Sequence, residues 1–266
     1  MNPLAKRIVT ALSTAAFVVC ALMFLPVSAV LPAMILLALL VQLEFSQLVA
    51  RKYETMPWAG IVASLGYFIT VFYYAEYAER MLSYGYIPMA FVVVVFFFAL
   101  AALFGKSRKP MEAMGSTLLS FVYIPFMLTF FMLIPVTLGM KWLLYIIAIV
   151  KISDMGGFAF GKAFGRHKMC PAISPNKSWE GFAGSVFASC LISCAFIPMT
   201  EFAWHKALAF GVAAALIGTL GDLVESRFKR EVDVKDSATF MPAGLGGFLD
   251  MFDSLVFAPA LFFPFL

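Results

Sequence analysis

Runs of about twenty apolar residues recur along this chain, separated by short clusters of charge, and that repeat limits its folds more than any other feature. A helix of such length crosses the hydrocarbon core of a bilayer at about 1.5 Å per residue. Lipid offers the backbone no hydrogen-bond partner, so a spanning segment must be a helix or part of a closed barrel. These runs are rich in Phe, Leu, Ala and Met without two-residue alternation, which fits helices. Composition agrees. Of 266 residues, 63% are hydrophobic and only 13% charged, too few polar groups to coat a soluble core of this size. The expected fold is an all-α polytopic membrane helix bundle.

Nine spans are expected, at 8–25, 28–49, 57–78, 84–104, 115–138, 141–163, 181–200, 206–226 and 249–266. The first follows Lys6 and Arg7 and ends near Val27-Ser28-Ala29, resembling a secretory signal. A second apolar run follows at once, so the first is read as a retained span. Fifteen of the 19 Lys and Arg residues fall on one side of this arrangement. Arg80, Lys141 and Lys206 fall on the other, and Lys151 lies inside a span. Basic residues favour the cytoplasmic side, which places the amino terminus there and the carboxyl terminus outside. The net charge of +4 then follows from topology and gives no sign of nucleic-acid binding.

Polar residues divide the chain unevenly. Residues 1–140 read as a transmembrane scaffold whose main intramembrane acid is Glu44, expected to snorkel toward the Arg51 end of its helix. Residues 141–266 read as the catalytic region of the same membrane unit, and they hold most of the acids. Four cysteines show no C-x-x-C spacing. Cys190 and Cys194, one helical turn apart, read as small packing residues.

The second half carries four polar constellations. Lys151 and Asp154 share a helical face at i,i+3, either as a structural ion pair or as part of a polar site. Gly157, Gly161 and Gly165 follow at four-residue intervals, a spacing that marks close helix packing in membranes. The loop Ser174-Pro175-Asn176-Lys177-Ser178-Trp179-Glu180-Gly181 brings hydroxyls, a cation and a helix start together. That suits a polyphosphate or a lipid phosphate, or equally a lipid-headgroup anchor. Asp222, Glu225 and Ser226 stack near the end of the eighth span, followed by Arg227, Lys229 and Arg230. Lys235-Asp236-Ser237 and a glycine-rich stretch lead to Asp250 and Asp253 on one helical face. Carboxylates beside phosphate-binding cations are what magnesium favours, since it takes hard oxygen ligands and lets phosphate complete its shell.

In order and spacing, Ser153-Asp154-x-Gly156, the Ser174–Gly181 loop, Gly221-Asp222-Leu223-Val224-Glu225-Ser226-x-x-Lys229-Arg230 and Val234-Lys235-Asp236-Ser237 resemble the phosphatidate cytidylyltransferases, also called CDP-diacylglycerol synthases. The likeness covers about residues 150–254, while the first half agrees only in character. It implies magnesium-dependent transfer of CMP from CTP to phosphatidic acid with release of pyrophosphate, in a homodimer of the cytoplasmic membrane. Asp222, Asp250 and Asp253 are then the expected metal ligands, and with Lys229 and Lys235 the catalytic set. Asp154, Ser174, Lys177, Ser178, Ser226, Arg230 and Asp236 are the expected substrate-binding residues. The family signature usually continues through a Pro-Gly-His-Gly-Gly run and an Asp-Arg pair. Here Leu245 stands where histidine is usual and Met251 where arginine is usual, and the paired acids survive. His167, in a basic loop, and His205, on the opposite side, are poor substitutes.

The chemistry tolerates that loss. A phosphate monoester is already anionic near neutral pH, with a second pKa of about 6, and needs no strong general base. Catalysis rests on aligning two anions and neutralising their charge. Two other readings stay open at this point. A CTP-dependent lipid or polyprenol kinase would use the same nucleotide. An ion-coupled transporter could use Lys151, Asp154 and Asp222 as a relay, but it would need polar groups leading to both faces, and the outer halves of these spans have few.

Overall fold

The computed structural model describes residues 24–75, 86–234 and 247–266. In chain order, the first half comprises α1 (Val27–Val49), α2 (Pro57–Ala75), α3 (Tyr86–Phe104) and α4 (Pro110–Phe121). A π-helical turn, Val122–Phe126, joins α4 to α5 (Met127–Thr137). The second half comprises α6 (Met140–Phe164), a hairpin of β1 (Lys168–Cys170) and β2 (Ser174–Ser178), α7 (Trp179–Ala195), α8 (Ile197–Thr200) and α9 (Trp204–Glu231). It ends with α10 (Phe248–Phe252), α11 (Ala258–Phe262) and a 3-10 turn at Phe263–Phe265. The hairpin pairs Lys168 with Ser178 and Cys170 with Ser174 in antiparallel register, the one sheet among the described residues.

Four helical stretches are long and apolar enough to cross a bilayer: Val27–Val49, Pro110–Thr137, Met140–Phe164 and Trp204–Glu231. Shorter apolar helices occupy Pro57–Val71, Met89–Phe104 and Trp179–Ala195. Large apolar side chains face outward along them, such as Phe158 at 73% exposure and Phe96 at 64%, as lipid-facing positions should. The all-α membrane bundle therefore stands. Most of the expected first span, 8–25, lies outside the described residues. The expected ninth span, 249–266, is not one helix: the chain turns after Phe252, and prolines begin the two short pieces that follow.

Aromatic packing holds the first half together. Phe121 meets Tyr67 and Phe98 edge-on at ring distances of 5.3 and 5.9 Å, the geometry that aromatic quadrupoles favour. In the second half the closest packing is between α6 and α7, along a seam of small residues. A Cβ added at Gly156 would sit 2.5 Å from the Cβ of Ala188 and 2.6 Å from the carbonyl of Gly184, so only glycine allows this approach. Gly161 faces Gly181 across the same seam, as the four-residue glycine spacing foretold. Cys190 packs directly over Gly211 of α9, and Cys170, Cys190 and Cys194 are free thiols.

At one end of the bundle, the loops after α1 and α3 meet the end of α9. Lys52 Nζ lies 2.6 Å from Glu231 Oε1, and the Tyr53 hydroxyl donates to the same oxygen at 2.8 Å. Glu54 accepts from the Ser107 hydroxyl and from the Lys109 amide, and these bonds hold its carboxyl below the ordinary value.

Candidate active site

Three helices and one turn build a polar cluster at that end. Asp222 and Glu225 sit three residues apart on α9 and so share a face. Gly221 precedes them. A Cβ there would strike the carbonyl oxygen of Asp253, so glycine lets the turn after α10 lie directly on α9. The result is a group of three carboxylates, Asp222, Glu225 and Asp253, whose ligand oxygens lie within 4.8 Å of one another. The Glu225 side chain is wholly buried, and its Oε1 has no hydrogen-bond partner.

Lysines bracket the acids. Lys177, on β2, reaches across the α6–α7 pair to Asp222 Oδ2 at 2.7 Å and donates to the Thr219 carbonyl at 2.9 Å. Lys229, one turn beyond Glu225, contacts Glu225 Oε2 at 3.1 Å and Asp250 Oδ1 at 2.9 Å. The other oxygen of Asp250 accepts from the Gly247 amide at 2.8 Å, which fixes the start of α10. Lys151, on α6, donates to the Met251 carbonyl at 2.9 Å and to Ser254 Oγ at 3.0 Å, and Ser254 donates to Asp154 Oδ2 at 2.7 Å. The Lys151–Asp154 contact itself is long, at 3.6 Å. These two residues therefore act through Ser254, which ties them to the turn that carries Asp253.

Five carboxylates, Asp154, Asp222, Glu225, Asp250 and Asp253, thus meet three ammonium groups, Lys151, Lys177 and Lys229, leaving a formal excess of two negative charges. A hard divalent cation fits that donor set. It would neutralise the excess and satisfy the orphaned Glu225 oxygen, with carboxylates as its only protein ligands.

The other expected site residues have different surroundings. Ser226 Oγ lies 3.4 Å from Asp222 Oδ1, at the rim of the cluster. Ser178 is buried and caps α7 by accepting from the Gly181 amide at 3.1 Å. Ser174 begins β2, two residues from the sharp end of the hairpin. Arg230 donates to the Val234 carbonyl at 3.0 Å. Lys235 and Asp236 lie outside the described residues, as does Leu245. Glu180 accepts from the amides of Arg166 and His167 and from His167 Nδ1 at 2.5 Å, which pins the hairpin to α7. The His167 contact is the largest cause holding the Glu180 carboxyl down at about 2.

Three participants escaped the sequence reading of the site. Glu225 was visible in its i,i+3 spacing from Asp222, but a glutamate followed four residues later by lysine reads first as a helical ion pair. Ser254 carried no signal beyond its place after Asp253. Glu44 was expected to snorkel to the surface. Instead it is fully buried and accepts from the amides of Phe248 at 2.7 Å and Leu249 at 3.3 Å. Those amides open α10, and a carboxylate inside a bundle finds better partners in unpaired backbone donors than in a solvated arginine about two turns away.

Carboxylates and lysines gathered at one end of an apolar helical bundle are groups suited to holding a divalent metal and phosphate at the bilayer surface. Sequence comparison makes this specific: the chain belongs to the cytidylyltransferase family, whose model matches residues 5–266. It is 33% identical over 226 residues to the phosphatidate cytidylyltransferase of Staphylococcus aureus, covering 84% of each chain. Phosphatidate cytidylyltransferases of Staphylococcus epidermidis and Staphylococcus saprophyticus match at 32% and 31%, again over 84% of each chain.

Proposed function

We propose that this chain is a phosphatidate cytidylyltransferase, transferring CMP from CTP to phosphatidic acid to give CDP-diacylglycerol and pyrophosphate. The observation that carries the reading is the convergence of Asp222, Glu225 and Asp253 beside Lys177 and Lys229 at one end of an apolar bundle. Membership of the cytidylyltransferase family supports it.

Asp222, Glu225 and Asp253 are the residues that would hold magnesium. Bound there, the ion would supply positive charge to the phosphate oxygens of CTP. Asp250 reaches the same cluster through Lys229 and keeps that lysine in place. Lys177 and Lys229, beside those carboxylates, would meet phosphate oxygens and neutralise the charge that builds on the α-phosphate and the leaving pyrophosphate. An oxygen of the phosphatidate attacks the α-phosphorus, and the bond from that phosphorus to the bridging oxygen of pyrophosphate breaks. No proton moves, because the attacking phosphate is already ionised. Ser174, Ser178, Ser226, Arg230 and Asp236 are the further residues proposed to bind substrate, and Lys235 is proposed to act with Lys229 on the phosphates. Asp154 acts through Ser254 on the turn that bears Asp253.

The acyl chains of phosphatidic acid enter sideways from lipid between helices, leaving the headgroup at the polar end. Charge asymmetry supports an amino terminus and this site on the cytoplasmic side of the cell membrane. Residues 1–140 then serve as scaffold for the catalytic region 141–266 within one unit. Family resemblance supports a homodimer, which native mass spectrometry in detergent would read directly.

Product analysis tests the function. Purified protein given magnesium, phosphatidic acid and CTP labelled in its α-phosphate should move label into the lipid phase and release one pyrophosphate for each lipid formed. A kinase would instead leave CDP and place only γ-label in lipid. Absence of α-label in lipid across several acyl chains and divalent metals sinks the assignment.

A further inference from the structure

Tyr123 belongs to the half of the chain that reads as scaffold, yet its surroundings are those of the active site. Its residue is 5% exposed, and its hydroxyl has no hydrogen-bond partner. Its ring is caged by Phe45 of α1 at 5.0 Å, Phe228 of α9 at 5.3 Å and Phe257, which precedes α11, at 5.7 Å. Phe45 adjoins Glu44, and Phe228 adjoins Lys229. The charged groups that the hydroxyl feels are Glu225, Asp253 and Asp222, the three carboxylates of the cluster.

Two further facts set this tyrosine apart. It lies in the π-helical turn Val122–Phe126, an irregularity that is frequent at functional sites. In addition, an unmet buried hydroxyl is costly, and a phenylalanine would fill the same aromatic cage without that cost. A phenol has an ordinary pKa of about 10 and carries its proton at neutral pH. The lysines at the cluster already have carboxylate partners, so Tyr123 is the buried donor there, among the described residues, that is still without an acceptor.

We propose that Tyr123 is a further catalytic residue: its hydroxyl donates a hydrogen bond to a phosphate oxygen brought to the Asp222–Glu225–Asp253 cluster. The inference rests on the proposed cytidylyl transfer, since that reaction supplies the phosphate. The bond forms only with substrate present and strengthens as charge grows on the phosphate oxygens, so its contribution falls mainly on turnover.

Tyr123→Phe in the full-length protein tests it. Removing one well-placed donor should lower kcat by on the order of 100–1,000-fold, while the melting temperature without ligand stays the same or rises. Magnesium and CTP together, with no phosphatidic acid and hence no turnover, should protect the variant against heating less than they protect wild type. Turnover by wild type and Tyr123→Phe alike overturns this inference alone. No turnover by wild type overturns the reading of function, and this inference with it.

Discussion

Lys229 holds two carboxylates at once, Glu225 at 3.1 Å and Asp250 at 2.9 Å, and only 12% of its side chain is exposed. Removing it strands two acids in a buried site. Lys229→Met should therefore abolish turnover and also lower stability, by about 3–5 kcal/mol for a broken buried pair, read as a shift of the melting curve in detergent. Glu225→Gln keeps the shape of the side chain and removes one charge. It should reduce turnover by on the order of 100-fold and raise the magnesium concentration needed for half-maximal rate; an unchanged magnesium requirement would take Glu225 out of the metal site. Asp222 and Asp253 were legible in the sequence because acids are scarce in an apolar chain and invite a functional reading. Tyr123 was not legible. One more aromatic among 30 phenylalanines and 9 tyrosines gives no signal until folding shows which hydroxyl lacks a partner.

Elements, rather than single residues, place the proposed catalytic groups, and two contacts do most of it. The glycine seam between α6 and α7 carries β2, and with it Lys177, to Asp222. Gly156→Leu should force the helices apart and cost about 1–3 kcal/mol as an overpacked interface does, measured by thermal unfolding. The second contact is Glu44 on the opening amides of α10. Glu44→Ala should leave those donors unmet, loosen the turn bearing Asp250 and Asp253, and raise the magnesium requirement by about tenfold or more, as losing outer-shell support does. If Glu44→Ala lowers the melting temperature but leaves the magnesium titration unmoved, Glu44 serves the fold only. The glycine seam was readable from its four-residue spacing. The Glu44 contact spans more than 200 residues, from α1 to α10, and no local pattern records it. Nor did periodicity show that the last apolar run breaks into short pieces, although Pro259 and Pro264 were its local warning.

Among the described residues, the whole molecule gathers its buried acid–lysine contacts toward one end, where Lys52 also meets Glu231 and Glu54 meets Ser107. What the sequence could not convey is that the scaffold half supplies side chains to the site, because helix order in space depends on packing between distant segments. Membrane sidedness is open to direct test. Single cysteines at His167 and His205, in a background lacking the native thiols, should react with an impermeant maleimide from opposite sides of oriented vesicles, His167Cys from the cytoplasmic side. Labelling of both from one side would refute the proposed topology. Whether cytidylyl transfer runs at the carboxylate–lysine cluster can be read from an experimental density map of the protein with manganese and a non-hydrolysable CTP analogue. Metal density should lie between Asp222, Glu225 and Asp253, with the phosphates within reach of Lys177 and Lys229. Metal and phosphates bound elsewhere, with those three carboxylates unengaged, would contradict it.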